Sequence, residues 1–392
     1  MRVLSISTLF PNPLRPQFGI FVGNQMRAVI ERGDVDLTMV SPLGIPPWPL
    51  SLREPYASLR RLPGQAETMG VPTHYPRFLT IPRIGVDSNP DRMAAAVLPL
   101  ARRLHEQQPF DLVDASFFFP DGPAAAQFAK ALALPLVIKA RGADIHYWSK
   151  RPRARARIMA AARQASRLVA VSEALGRDMA ALGMDADKLR VHYTGLDRER
   201  FRPQPRGEAR AAIAHSLGIA EVGPLLVTPG ALIARKGQRF VLEALAYLPG
   251  ARLALAGGGE DEVALRALAA ELRVADRVHF LGIVGHDVLP TLLSAADVMV
   301  LPSASEGLAN AWVEALACGT PIVITDIGGA RELVKSDSAG RIVARDAAAI
   351  VEAVRELLAA PPSPEAVATN VEQFSWTHNA ERIVEIWREA VG

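Results

Sequence analysis

Short apolar runs alternate with helical periodicities along most of the chain. Val3–Ser7 is β-rich and leads into a turn-rich loop, Pro11–Gly19. A helical pattern then runs from Phe21 to Arg32 and stops at Gly33, and Val35–Val40 is the next strand. Strand, loop, helix, strand is the order of a βαβ unit. It recurs in a first series of predicted strands at Leu112–Asp114, Leu136–Ala140, Leu168–Val171 and Leu189–His192, with helices at Gly122–Leu132 and Glu173–Leu182. A second series has strands at Leu225–Thr228, Ala251–Ala256, Val278–Leu281, Val298–Leu301 and Ile322–Thr325. Its helices are Gln238–Leu248, Glu260–Leu272 and Ala309–Cys318. Runs apolar on both faces suit parallel strands covered by helices. Between the series, Gly195–Gly207 is Arg-rich and carries Pro203 and Pro205, as a linker does. The pattern predicts an α/β protein of two doubly wound, Rossmann-like domains, 1–200 and 201–374. An amphipathic helix, Trp376–Val391, forms a tail (375–392) that can pack back on the first domain.

Composition sharpens this. A chain of 392 residues with 49% hydrophobic and 22% charged residues has enough apolar surface for two cores. The net charge of +3 hides an asymmetry: residues 1–200 carry 27 Lys/Arg and 18 Asp/Glu, and residues 201–392 carry 17 and 23. A basic front half and an acidic back half point to different partners. The single cysteine, Cys318, excludes a disulfide framework and a Cys-based zinc site, and suits a reducing compartment. No apolar run is long enough to span a bilayer, and the first residues read as a strand, not a signal peptide. A cytoplasmic protein is the expectation.

The familiar nucleotide motifs are absent. Gly257-Gly258-Gly259 lacks the dinucleotide-binding spacing, and Gly230 to Gly237 is not a P-loop, because its Lys236 is followed by glycine. The pairs Asp34/Asp36 and Asp185/Asp187 read as solvated surface. Three features remain. Gly230 to Gly237 leaves a strand with Arg235 and Lys236 at the turn into a helix, which suits a phosphate. Ser305-Glu306-Gly307-Leu308-Ala309-Asn310 follows a strand and opens a helix, with Glu306 in the loop and Glu314 two turns inside. Backbone N–H groups of Gly307 to Asn310 are then unpaired first-turn donors. Eight helical residues separate the carboxylates by at most about 12 Å, roughly the reach from a ribose to a hexose across a diphosphate. The third feature is Gly328-Gly329 with Glu332, a Gly-rich turn after a strand. Each also reads as ordinary loop or helix chemistry when taken alone.

Together these residues resemble the retaining glycosyltransferases of family 4, which have the GT-B fold. The resemblance is carried by Glu306-x7-Glu314, by Glu314-Ala315-Leu316-Ala317-Cys318-Gly319-Thr320-Pro321, by Asp326-Ile327-Gly328-Gly329 and by the Gly230…Lys236-Gly237 turn, and it covers about 225–390. In the front half, Gln17-Phe18-Gly19, Phe119-Pro120-Asp121-Gly122 and Arg141-Gly142-Ala143-Asp144 look like the branch that builds bacterial surface polysaccharides. The resemblance implies two domains facing across a cleft and a nucleotide-diphosphate sugar as donor. It also implies a glycan or lipid-diphosphate-linked acceptor, and neither cofactor nor metal. Lys236 would neutralise the departing diphosphate and Glu306 would hold the transferred sugar. Glu314 would take the ribose hydroxyls, and the N–H groups of Gly307, Leu308 and Ala309 the sugar and phosphate. Gly282 and Ile283 would face the base, and Gly19 would start the first helix beside the diphosphate and acceptor. The family usually places an arginine directly after the glycine that is Gly230 here. This chain has Ala231, so Arg235 is the substitute. The family often has a histidine where this chain has Arg141, so Arg141 and Asp144 are the candidates nearest the reacting sugar.

Two segments bear on the acceptor. Arg151 to Arg167 holds six arginines and no acid, and 46–61 mixes Trp48, leucines and arginines. Both suit the anionic inner face of a plasma membrane, and Arg151 to Arg167 reads equally as a solvated helix. No nucleic-acid motif accompanies the charge. A sugar-nucleotide epimerase on the same fold and a catalytically weak nucleotide-sugar-binding protein are the rival readings. His192, His279 and His286 read as structural, Trp376 and Trp387 as contacts of the tail helix, and Cys318 as packing.

Overall fold

The computed structural model describes residues 1–81, 88–285 and 287–392. His286 lies outside them. The chain divides into two compact units, Met1–Gly195 with Trp376–Gly392, and Leu196–Ser375.

Among the described residues the first unit holds ten strands: β1 (Arg2–Ile6), β2 (Asp36–Val40), β3 (Leu43–Ile45), β4 (Gln65–Thr68), β5 (Val71–His74), β6 (Arg77–Leu79), β7 (Leu112–Ala115), β8 (Leu136–Ala140), β9 (Arg167–Ala170) and β10 (Leu189–Val191). Eight form one sheet in the order β10-β9-β8-β7-β1-β2-β5-β4, and β3 pairs with β6 in a separate ribbon. Every neighbour in the large sheet is parallel except the β4–β5 hairpin. The central strands are buried along their length, Asp114 and Lys139 included within otherwise apolar runs.

Sequence reading misses the hairpin and the ribbon. β4 is Gln-Ala-Glu-Thr, an edge strand exposed at alternate positions, so it offers no apolar run to detect. The tail helix Trp376–Val391 belongs to this unit, where Ile383, Val384, Ile386 and Trp387 are fully buried in its core. Polar contacts fix its register. Trp387 Nε1 donates to Asp114 Oδ1 at 3.0 Å, and Asn379 Nδ2 donates to the Tyr193 carbonyl at 2.6 Å.

The second unit holds β11 (Leu225–Pro229), β12 (Arg252–Ala256), β13 (Val278–Gly282), β14 (Val298–Leu301), β15 (Ile322–Thr325) and β16 (Gly340–Val343). They form one wholly parallel sheet in the order β13-β12-β11-β14-β15-β16. Strand order reverses at β11 and β14, and ligands of open parallel sheets bind beyond the strand ends at such a point. β16 and the helices Arg206–Leu217 and Ala347–Ala359 are absent from the sequence reading. The residues around Arg198 to Phe201, read as linker, pack within this unit: Phe201 is buried and Arg198 Nη1 donates to the Val371 carbonyl at 2.8 Å.

Candidate functional site

The C-terminal ends of β11 and β14 in the second unit gather the predicted donor-site residues. β11 ends at Gly230, whose φ of 132° favours glycine. The chain then crosses to the 3₁₀ turn Ala234–Lys236 and enters the helix Gln238–Leu245. A Cβ on Gly237 would stand 2.3 Å from the Pro302 carbonyl oxygen, so the turn lies directly on the loop leaving β14. That approach brings Lys236 and Glu306 together. Lys236 Nζ donates to Glu306 Oε1 at 2.6 Å, and Arg235 Nη1 reaches the same oxygen at 3.0 Å. The Glu306 and Lys236 side chains are nearly buried, so the pair is screened little by solvent. Ala231 is exposed and contributes its carbonyl to Gln238 Nε2 at 2.9 Å, while Arg235 places a guanidinium at the carboxylate.

The helix carrying Glu314 spans Asn310–Ala317, so it begins three residues later than the free donors expected at Gly307. Glu306 to Ala309 is a loop, with Ala309 at the N-cap. Gly307 gives its carbonyl to Gly329 N–H at 2.8 Å, and a Cβ on Gly328 would stand 2.3 Å from the Glu306 carbonyl oxygen. The Gly328-Gly329 turn therefore braces the loop from behind. Among the described residues no acceptor takes the N–H of Leu308 or Ala309. These two donors take the place of the expected first helical turn.

Glu314 is partly buried with no ion-pair or hydrogen-bond partner among the described residues. Burial alone pushes its carboxyl up to about 7. A desolvated carboxylate without a partner suits a ligand that brings hydroxyls. Gly282 ends β13 in the left-handed region, with Ile283 87% exposed beside it. Ile283 Cγ1 stands 3.9 Å from a Cβ placed on Gly258, so Gly257-Gly258-Gly259 and Gly282-Ile283 lie side by side.

The first unit carries its candidates at the same end of its own sheet. Gly19 is left-handed at the N-cap of the helix Ile20–Glu31, and a Cβ there would stand 2.1 Å from the Leu9 carbonyl oxygen. That helix has no side-chain cap and no acid in its first turn. Arg141 follows β8. Its Nε donates to the Ser116 carbonyl at 2.7 Å, its guanidinium lies 4.7 Å from the Phe21 ring centroid, and its Nη2 is buried without a partner. Burial pulls its pKa down to about 10. Asp144 is wholly buried and accepts from the N–H groups of Phe118, Arg141 and Gly142 at 2.8–3.1 Å. Its oxygens are spent on backbone, so it shapes the loop that carries Arg141.

Three buried polar residues of this unit, Asp121, Asp114 and Lys139, are given no role by the sequence reading. Asp121 accepts from Thr8 N–H and Oγ1, both at 2.8 Å, and burial pushes it up to about 7. Asp114 accepts from Ser5 Oγ, Ser116 Oγ and Trp387. Lys139 interrupts the apolar strand Leu-Val-Ile-Lys-Ala, the one signal that marks it in sequence. It donates to Gln25 Oε1 at 3.1 Å and meets His192 Nδ1, whose Nε2 donates to the Asn379 carbonyl at 2.8 Å. Burial pulls both Lys139 and His192 well below their usual pKa values. His279 is partly buried and Cys318 fully, with its thiol pushed up to about 12. Asp34 and Asp36 pair with Arg32 and Arg2 at the surface, and Asp185 caps a turn. No group of three or more His, Cys, Asp or Glu among the described residues could hold a metal ion.

Comparison with known proteins bears on the family and the fold. Residues 209–374 match the model of glycosyl transferases group 1, and residues 56–200 match that of glycosyltransferase family 4. The D-inositol 3-phosphate glycosyltransferase of Mycobacterium tuberculosis is 33% identical over 242 residues, 58% of this chain and 50% of the relative. The chain thus spans about half the length of the curated relatives it matches. Sucrose-phosphate synthase from Thermosynechococcus elongatus superposes with a TM-score of 0.77 at 19% identity, covering 99% of this chain and 98% of that one. Anabaena HepE in complex with UDP-glucose superposes with a TM-score of 0.74 at 21% identity over 98% of each chain. The likeness shows the GT-B fold, with two Rossmann-like domains.

Proposed function

Because the chain belongs to the group 1, family 4 glycosyltransferases, we propose that it moves a sugar from a nucleotide-diphosphate donor to a glycan or lipid-linked acceptor in bacterial polysaccharide biosynthesis, with retention at the anomeric carbon. The observation that carries this reading is the meeting of Lys236, Arg235 and Glu306 at the end of a parallel sheet, with Glu314 unpartnered eight residues further on. Two cations and the free N–H groups of Leu308 and Ala309 offer a place for a diphosphate without a metal. Glu314 takes the ribose hydroxyls, Glu306 the hydroxyls of the transferred sugar, and Gly282 and Ile283 line the base. Gly19 and Arg141 of the first unit serve the acceptor side, with Asp144 holding the Arg141 loop.

In the reaction, the bond from the anomeric carbon to the diphosphate oxygen breaks, and its electron pair leaves with the diphosphate. The acceptor hydroxyl forms the new bond on the same face, and its proton passes to the departing phosphate oxygen. Products are the glycoside and the nucleoside diphosphate. The chain supplies charge at the leaving group and position for the two substrates.

Of the two basic segments, 46–61 is the better fit to a membrane. Trp48 and Leu52 are 78% and 59% exposed, next to exposed Arg53, Arg60 and Arg61. In the helix Pro152–Gln164 the apolar residues face inward, and Arg157 is held by Asp91 at 2.6–2.7 Å. The acceptor is placed on the cytoplasmic membrane face by this reading. A thermal-shift screen with UDP-, GDP- and ADP-sugars tests the donor site: one class should raise the melting temperature, and no shift from any would remove the proposal.

A further inference from the structure

Arg345 lies two residues beyond the end of β16 and belongs to none of the motifs above. Its Nε donates to the Pro302 carbonyl at 2.8 Å, and its Nη2 donates to the carbonyls of Ala234 and Arg235 at 2.7 and 3.2 Å. The guanidinium rests 4.9 Å from the Phe240 ring centroid. Pro302 stands four residues before Glu306, and Ala234 and Arg235 share one 3₁₀ turn with Lys236. One planar fork therefore joins the segment that carries the cations to the segment that carries the carboxylate. The two segments also meet directly: Ala304 N–H donates to the Arg235 carbonyl at 2.7 Å, and Arg235 Nη1 donates to the Ser305 carbonyl.

Neither segment can hold itself in place. The turn is a single 3₁₀ turn ending in left-handed Gly237, and 302–309 has no helix or strand of its own. A fixed fork of donors suits three carbonyls converging from two segments, whereas a lysine ammonium is a point charge on a flexible stem. Displacement of a reacting group by 1 Å can cost about 10²-fold in rate, so a device that sets this spacing matters to the site.

We propose that Arg345 is a positioning residue of the donor site. It presets Lys236 and Arg235 against Glu306, so that a nucleoside diphosphate meets its cations already in place. The inference rests on the donor-site reading above.

Titration calorimetry on the full chain tests it, with UDP, GDP and ADP as probes and the tightest carried forward. The proteins are wild type, Arg345→Gln, Arg345→Lys, Lys236→Ala and the double variant Arg345→Gln/Lys236→Ala, with thermal unfolding of each. Arg345→Gln should weaken binding about tenfold. Arg345→Lys should do the same, since charge without the fork does not hold the carbonyls. In the Lys236→Ala background, Arg345→Gln should cost clearly less than in wild type, because one of the two cations it positions is gone. Should Arg345→Gln not fold, Arg345→Lys and Phe240→Leu carry the same cycle. Wild-type affinity in Arg345→Gln, full rescue by lysine, or additive losses in the double variant would each overturn the clamp and leave the donor site standing. If wild type binds none of the three diphosphates, the donor-site reading falls and the clamp with it.

Discussion

Glu314 has two opposed consequences in one carboxyl. Its pKa is raised by burial from 4.5 to about 7, so the folded protein holds a proton there that the unfolded chain releases. Between those values stability falls as pH rises, and above pH 7 the full cost of a buried charge remains. Glu314→Gln should therefore raise stability by about 1–3 kcal/mol at pH 8, with the gain vanishing below about pH 4.5. Denaturant melts at both pH values check this; an equal gain at pH 4 and pH 8 would contradict it. Donor affinity should run the other way, rising through pH 7 as the carboxylate forms to accept hydroxyls. Lys236→Ala should lower turnover by about 10²–10³-fold, the usual loss for one preorganised charge-stabilising donor. A loss under about threefold in a steady-state assay would remove that role.

The residues gathered at the C-terminal ends of β11 and β14 were legible in sequence because their types and spacing are distinctive. Glu306 and Glu314 stand eight apart across a strand-to-helix junction, and Lys236 is one of only six lysines in the chain. Arg345 was not, because it holds backbone carbonyls, which every residue has, and its partners lie 43 to 111 positions away. Asp144 shows the converse. Its acidic type and its place near Arg141 suggested chemistry, while its three backbone donors show a loop-forming role.

Among elements, the buried parallel strands were readable from their largely apolar runs, and the tail helix Trp376–Val391 from its amphipathic period. Edge strands were not. β4 and β16 mix polar residues with partial exposure, because one side of each lacks a neighbour. The helix read at Ala309–Cys318 begins one residue later, at Asn310, but the bracing of the loop before it was not legible: Gly328-Gly329 supplies it, a contact across about twenty residues that local sequence cannot carry.

The tail helix is the element whose attachment can be tested most simply. Its Trp387 indole is one of three donors to wholly buried Asp114. Trp387→Phe keeps most of the volume and removes that donor, so it should destabilise the first unit by about 1–3 kcal/mol. Hydrogen exchange should speed up in β7 to β9 and stay unchanged in β11 to β16. Uniform acceleration across both sheets would contradict the assignment of the helix to the first unit.

At the scale of the molecule, the proposed function divides two tasks along the charge asymmetry. The back half is acidic overall, and the proposal has an anionic donor met locally by Lys236, Arg235 and two backbone donors. The basic front half carries the exposed Trp48–Leu52 surface. No helix among the described residues is long and apolar enough to cross a membrane. Each basic residue near an anionic surface adds about 1 kcal/mol, and the exposed tryptophan and leucine add apolar contact. The protein should float with vesicles containing anionic lipid and not with neutral ones, and Trp48→Ala with Leu52→Ala should reduce flotation several-fold. Binding indifferent to lipid charge would remove this surface from the account.

The central claim is that the second unit holds a nucleotide sugar through Lys236, Glu306 and Glu314. Calorimetry with the donor found by thermal shift, on wild type and Glu314→Ala at pH 8, tests it most directly. Two charge-assisted hydrogen bonds to ribose are lost in the variant, so affinity should fall by about 10²-fold with the fold intact. An unchanged dissociation constant in a folded Glu314→Ala protein would contradict the claim.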